Sequence, residues 1–401
     1  MRKALRTIIV ISILLVSAGH ITSIIPVDLY AFHEGGAGYC DGCHDLHSPL
    51  QFRGEETVES DSSGPEMYML KGSDPSSTCL ICHARASAFY NIFSKDGSQY
   101  TPGGDYYWLK KTFTSITNGT VYLSEGDKHG HNVIAADYGL TEDRILDAAP
   151  GGSYASFAMG CNSCHDSHGT IQGSAKNIKA ISGSGSYGRI APQGTISGNY
   201  RLLGGLGYNG GIRSSAVSFA YPAPVAVANE ANWTETDSNH PAYGSGMSEW
   251  CANCHNDMLI DSNKHPAGDD AQLSRSVIAN YNAYLKTGDP RGIQATSYLS
   301  LVPFELGITD KSLLDPSSSS GPGTSGKANV MCLTCHRAHA SAFPLIGRWD
   351  FRATFITDSH PKYGDGGVTG NDVLNSYYGR NMAAQFGPYQ RQFCNKCHMQ
   401  D

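Results

Sequence analysis

The stretch Cys332-Leu333-Thr334-Cys335-His336-Arg337-Ala338-His339 decides how this chain is read. It contains C-x-x-C-H, whose two thiols can form thioethers to the vinyl groups of one haem while the adjoining imidazole ligates the iron. On a helical turn, residues i, i+3 and i+4 share one face, so all three groups can point at one macrocycle. The same pattern recurs at Cys40/Cys43/His44, Cys79/Cys82/His83, Cys161/Cys164/His165, Cys251/Cys254/His255 and Cys394/Cys397/His398. Together the six motifs use all 12 cysteines, so no thiol is left for a disulfide. A bare C-x-x-C is equally half a zinc site or a thioredoxin-like redox pair. Zinc does not require a histidine directly after the second cysteine, yet all six pairs have one, although only 16 of 401 residues are histidine. The pattern implies six covalently attached c-type haems.

Residues 1–31 have the form of a secretory signal: Arg2, Lys3 and Arg6 precede an apolar run, Ile8 to Ala18, that is short for a bilayer span. Ala18 and Ala31 are the candidate cleavage positions, and an uncleaved anchor is the alternative. Export suits c-type haem, which is attached outside the cytoplasm, where thiols otherwise oxidise to disulfides. The full sequence carries a formal charge of −7, and losing the leader removes three positive charges and one aspartate. Haem propionates add further negative charge. Nucleic acid is therefore excluded as a partner, since phosphate binding relies on basic patches.

The fold class expected is a multihaem cytochrome c, mostly irregular, with a few short α-helices, minimal β structure and a core formed by stacked haems. The 46 glycines and many Ser and Asn leave few long periodic segments for an ordinary polypeptide core. Disorder is the competing reading, but 22 Tyr and 13 Phe are too many for it and suit packing against flat macrocycles. The motifs begin at 40, 79, 161, 251, 332 and 394, which is no solenoid period. Residues 32–401 are expected to form a single elongated hexahaem unit, interrupted by a Ser/Gly-rich loop at 317–326.

Asp270 to Thr287 has apolar positions at Leu273, Val277, Tyr281, Tyr284 and Leu285 and stops at Gly288, which predicts an amphipathic helix. Pro388 is a candidate first-turn residue for a helix carrying Cys394 to His398, and Ser248-Glu249-Trp250 for one carrying Cys251 to His255. Strands such as Thr112 to Thr117 or Ala216 to Ala220 would be short.

The sixth coordination position on each iron separates electron carriage from catalysis, because two protein ligands close the metal whereas an open site binds substrate. Beyond the proximal set His44, His83, His165, His255, His336 and His398, the chain after the leader has nine further histidines: His33, His47, His129, His131, His168, His240, His265, His339 and His360. Three of them, His47, His168 and His339, share the context C-H-x-x-H. Such a histidine lies near its own haem but cannot easily reach the opposite face, so it is placed to ligate a neighbouring haem. His33, His131 and His265 remain open between ligand and ordinary polar residue on local sequence. Methionines such as Met67, Met69 and Met159 are read as packing residues, histidines being in excess.

The run Phe32-His33-Glu34-Gly35-Gly36 to Cys40-Asp41-Gly42-Cys43-His44-Asp45-Leu46-His47 resembles the mature N-terminus of the OmcS-type hexahaem cytochromes of metal-reducing bacteria. That likeness favours cleavage after Ala31. Similar stretches are Thr101-Pro102-Gly103-Gly104-Asp105, Gly130-His131-Asn132, Gly246 to His255, His265-Pro266-Ala267-Gly268, Cys335 to Ser341 and Pro388 to His398. The resemblance implies extracellular filaments in which stacked, bis-histidine haems run through head-to-tail copies. By position it implies the distal ligands His33, His47, His131, His168, His265 and His339. His129, His240 and His360 match no ligand position, though His129 lies only two residues from His131. It further implies that His47 ligates the Cys332/Cys335 haem of an adjacent subunit, a contact that does not close on itself and so yields an open fibre. The Ser/Gly loop before the fifth motif and the extra histidines depart from the family.

The expected function is thus extracellular electron transfer, not catalysis, to acceptors such as metal oxides and with other redox cytochromes as partners. The protein would be exported, with the periplasm a transit compartment. Two alternatives stand: a multihaem reductase with one open haem, and a soluble periplasmic shuttle with the same ligation but no assembly.

Overall fold

The computed structural model describes residues 40–45, 70–85, 90–117, 119–169, 196–211, 217–229, 234–236, 239–260, 265–297, 302–318 and 321–399. The leader, His33, His47, Gly183 to Gly188 and the Asn118 side of the first hairpin lie outside them. The described chain is mostly loop, turn and 3₁₀ helix, with short α-helices and two two-stranded antiparallel sheets, Phe113–Thr117 with Thr120–Ser124 and Val225–Val227 with Ala242–Ser245. None of its helices is long and apolar enough to cross a membrane.

Three expectations are corrected. The helix read from Asp270 to Thr287 spans only Arg275–Ala283. Ser274 caps it by accepting from the Val277 N–H, while residues 271–273 run extended against 328–330 (Leu273 N to Ala328 O, 2.9 Å). Long-range pairing wins over helical periodicity there because it satisfies the same backbone groups. Pro388 opens no helix: Met382–Phe386 ends at Gly387 (φ 83°), residues 390–391 pair with 355–356, and the next helix is Asn395–His398. The described part of Ala216 to Ala220 is not a strand; Phe219 exchanges two hydrogen bonds with Gly207 and Tyr208 in a local turn. In addition, the helix Met247–Cys251 stops at the first cysteine of its motif instead of carrying all of it.

The six motifs are not evenly spaced, yet one junction is built twice. In the first copy, the helix Pro75–His83 carries the second motif and meets Cys161–Cys164 of the third; in the second, Met247–Cys251 meets Cys332–Cys335. The serine three residues before the even motif's first cysteine accepts from the N–H of the odd motif's first cysteine, Cys161 N to Ser76 Oγ and Cys332 N to Ser248 Oγ, both 3.0 Å. The first thiols of the two motifs also lie beside one another, Cys79 by Cys161 and Cys251 by Cys332. After each odd motif the chain returns through two residues with left-handed φ, Arg201 and Leu202 (48° and 53°) or Leu345 and Ile346 (61° and 56°). It then pairs back, His165 with Leu203 and His336 with Gly347. The first motif has the same pairing, His44 with Leu70.

Between these junctions lie small side-chain clusters, one around Trp108, Phe113, Phe343 and Trp349, another around Tyr200, Tyr243 and Met331. A buried charge network joins them. Glu235 accepts from Arg337 Nη1 (2.5 Å), from Arg348 Nη1 (2.7 Å) and from His240 Nδ1 (3.0 Å), and Arg337 also lies over the Tyr378 ring. Burial raises the Glu235 carboxyl, but Arg337 and Arg348 outweigh it and hold it well below the usual range.

Candidate functional site: cysteine motifs and paired imidazoles

Not all the expected haem-attaching thiols are placed alike. Cys82 is exposed, as is Cys394, whereas Cys43, Cys79, Cys161, Cys164, Cys251, Cys254, Cys332, Cys335 and Cys397 are half-buried. Cys82 is therefore less enclosed than the first thiol of its own motif, Cys79. The reason lies in its helix: Pro75–His83 buries Ser76, Ser77, Thr78 and Leu80, and Cys79 turns its thiol into the junction toward Cys161. Cys82 lies one turn on from Cys79, past the last buried residue of the helix, where less of the polypeptide covers it. A thioether asks for reach to a vinyl group and not for burial by protein, so exposure does not disqualify the thiol.

Four of the motif histidines are prepared in one way. His83 Nδ1 bonds the Tyr90 carbonyl (2.9 Å), His165 that of Arg201 (2.9 Å), His255 that of Pro150 (2.8 Å) and His336 that of Leu345 (2.7 Å). A carbonyl can only accept, so Nδ1 carries the proton and donates, and Nε2 keeps its lone pair. The left-handed residues at 201 and 345 turn their carbonyls toward these rings, which gives the strained returns a purpose. Two of the further histidines match: His131 Nδ1 donates to Ala338 O (2.6 Å) and His265 Nδ1 to Pro266 O (2.9 Å).

The rings also come in pairs. His44 lies 6.0 Å from His168, His131 6.0 Å from His255, His265 6.0 Å from His398 and His165 6.4 Å from His339, centroid to centroid. Two imidazole nitrogens each about 2 Å from one metal ion put their ring centroids about 6 Å apart. The spacing therefore fits a metal between each pair, with two cysteine thiols of the same motif beside one member. Burial first, then neighbouring imidazoles, pushes His339 down to about 3 and His131 to about 4; burial likewise takes His165 to about 4. All three rings are neutral near pH 7, the form that ligates metal. His339 Nδ1 is buried without a hydrogen-bond partner. Its main chain is clamped instead: Gly103 O accepts from His339 N, and a Cβ on Gly104 (φ 101°) would lie 1.8 Å from Ala340 O. The glycines at 103–104 are thus demanded by close approach to the His339 segment.

The remaining described histidines are engaged otherwise. His129 uses both ring nitrogens, Nε2 with Ser124 Oγ (2.8 Å) and Nδ1 with Trp108 O (3.1 Å). His240 donates to Glu235 and His360 to Asp365 (2.6 Å). This separates His131 from His129, which local sequence leaves undivided: Nδ1 of each meets a carbonyl, but Nε2 of His129 is taken by Ser124 while His131 faces His255. Among the described residues no second imidazole is paired in this way with His83 or His336, whose ring meets Phe351 edge-on (5.5 Å). His33 and His47, the expected ligands there, lie outside the described residues.

No protein-family model matches the chain. It is 39% identical over 414 residues to the C-type cytochrome OmcS of Geobacter sulfurreducens, a match covering 93% of this chain and 95% of that protein. It is similar to two structures from that organism, an outer-membrane cytochrome S filament and OmcS nanowires seen by cryo-electron microscopy. Each gives a TM-score of 0.74 at 36% identity, over 92% of this chain and all of the other.

Proposed function

The chain belongs to the OmcS family of c-type cytochromes, and on that premise we propose that it conducts electrons outside the cell through six covalent haems, each iron closed by two imidazoles. Its fold is that of the family's multihaem cytochromes, and it is a c-type cytochrome, which implies covalent haem c. Bound haem supplies one-electron exchange at iron. The chain's part is to attach it, through the six cysteine pairs, and to fill both axial positions. His44, His83, His165, His255, His336 and His398 are the proximal ligands; His33, His47, His131, His168, His265 and His339 are the distal ones. Two protein ligands leave no position for a substrate, which favours electron passage over bond chemistry. Export would remove residues 1–31 and leave residues 32–401 as one unit at the cell surface.

The observation that carries this reading is the set of four imidazole pairs at one spacing, with Nδ1 of the flanking histidines tied to carbonyls. The pairs also follow a rule. His168, from the third motif's C-H-x-x-H, pairs with His44 of the first; His339, from the fifth, pairs with His165 of the third. Continuing the rule, His336 of the fifth needs the His47 of a further first motif, and so of another copy. Repeated head to tail, this gives an open filament. His131 and His265 serve the fourth and sixth motifs, which leaves His33 for the second.

Optical and paramagnetic resonance spectra of the purified protein test the ligation. Six low-spin ferric haems per chain and no binding of carbon monoxide on reduction are expected. Replacing His47 with Ala should yield soluble monomers with one high-spin haem; filaments that still form with six low-spin haems would refute the inter-subunit bond. The second reading is a reductase with one open haem. A stoichiometric high-spin signal in assembled wild-type material would favour it. Micrographs without fibres would favour a soluble shuttle.

A further inference from the structure

At the second junction three carboxylates converge that no haem ligation uses. The ligand oxygens of Glu249, Asp269 and Glu305 all lie within 4.8 Å of one another. Each carboxylate is aimed by a backbone N–H: Glu305 Oε1 accepts from Met247, Glu249 Oε1 from Asp269 (2.8 Å) and Asp269 Oδ1 from Gly246 (3.1 Å). Gly268 (φ 108°) passes so close that a Cβ would meet Glu249 Oε1 at 2.3 Å. Glu305 is 0% exposed, and its Oε2 and that of Glu249 are both buried without a hydrogen-bond partner. Burial, reinforced by Glu249 and Asp269, pushes the Glu305 carboxyl up to about 8. A buried carboxylate oxygen with no donor is costly and calls for a proton or a cation.

We propose that Glu249, Asp269 and Glu305 bind one divalent cation, calcium by preference, at the junction of the fourth and fifth motifs. A proton on Glu305 would supply a single bond and leave two charges side by side. A divalent ion takes both orphaned oxygens and offsets two of the three charges. An all-oxygen, flexible and partly exposed donor set suits calcium over zinc or copper, and the exposed Asp269 leaves room for water ligands. The ion would link three segments. Glu249 precedes Cys251 on the helix Met247–Cys251, Asp269 follows His265 on its loop, and Glu305 pairs through its backbone with Asn329, just before Cys332.

Equilibrium dialysis of the haem-loaded full-length protein against radiolabelled calcium, after treatment with a chelator, tests this whether or not the protein assembles. Wild type should take up one tightly held calcium per chain and gain thermal stability from it. Glu305→Gln and the exposed Asp269→Asn should each weaken uptake by roughly tenfold or more, with haem spectra unchanged. Wild-type uptake that is absent, or no tighter than in Asp269→Asn, overturns the proposal even if Glu305→Gln fails to fold.

Discussion

The junction between the second and third motifs and the junction between the fourth and fifth share a backbone plan and differ in what anchors it. In the first, Asp74 caps its own helix, accepting from Ser77 N and Ser77 Oγ (both 2.8 Å) and from Ala136 N (2.8 Å). That helix runs nine residues and carries its motif to the histidine. In the second, the equivalent residue is Gly246 (φ 83°), which has no side chain to cap with, and the Met247 N–H goes instead to Glu305, far along the chain. That helix ends at Cys251. The odd arms diverge likewise. Asp166, after the third motif, accepts from His168 N and Gly169 N within its own loop. Arg337, its counterpart after the fifth, reaches Glu235. In one arrangement the anchoring carboxylates belong to the helix and loop they cap, and in the other they come from distant segments, so the same geometry should fail in different ways.

Breaking the long-range anchor should have the largest effect. Glu235→Ala leaves Arg337 and Arg348 buried together without their carboxylate and should cost about 3–5 kcal/mol in chemical denaturation of the haem-loaded protein. An equal loss from Asp166→Ala would erase the contrast between the arms. Glu235 also gives the long-range arm a pH signature. Its folded value lies below its unfolded one, so its stabilisation is full above the unfolded value of roughly 4.3 and is lost as pH falls toward the depressed folded one. Acid titration followed by the haem spectrum should show wild type losing stability through that range and Glu235→Ala losing less.

Next in size is the local cap. Asp74→Ala should cost about 2 kcal/mol by the same denaturation measurement, while Gly246→Asn, which tolerates left-handed φ, should change stability far less. The serines sharpen the shared part of the plan. Ser76→Ala and Ser248→Ala each remove one bond to a cysteine N–H and should each cost about 1 kcal/mol; markedly unequal values would mean the junctions are not the same unit. The smallest effect is expected at the exposed Leu345, where φ is 61°. Leu345→Gly relieves a left-handed cost of about 1–2 kcal/mol but adds backbone entropy, for a net gain under about 1 kcal/mol in thermal unfolding.

Much of the candidate site was legible because the motif is local. Cysteines and histidine within five residues need only one turn of chain to share a face, and the C-H-x-x-H contexts of His168 and His339 lie beside such turns. The exposure of Cys82 was not legible, since it follows from where along its helix the burial stops. Nor was His131 against His129 from local sequence, since the two sit in the same short stretch and differ in whether Nε2 is taken by Ser124 or the ring faces His255. The helix expected from Asp270 was overlong because residues 271–273 found partners at 328–330, a pairing that periodicity does not report. The doubled junction was hidden as well. Its likeness lies in a serine three residues ahead of a cysteine and in two left-handed residues of unlike type, Arg201 and Leu202 against Leu345 and Ile346.

The order of residues alone determined which groups are chemically able to hold haem, because thioether and imidazole chemistry is written in residue type and short spacing. Tertiary structure alone decided which imidazole faces which, since His165 and His339 or His131 and His255 meet only when distant segments pack and backbone carbonyls orient their rings. It also decided where three acidic side chains from separate segments come together, because converging charge is a property of the fold and not of any stretch of chain.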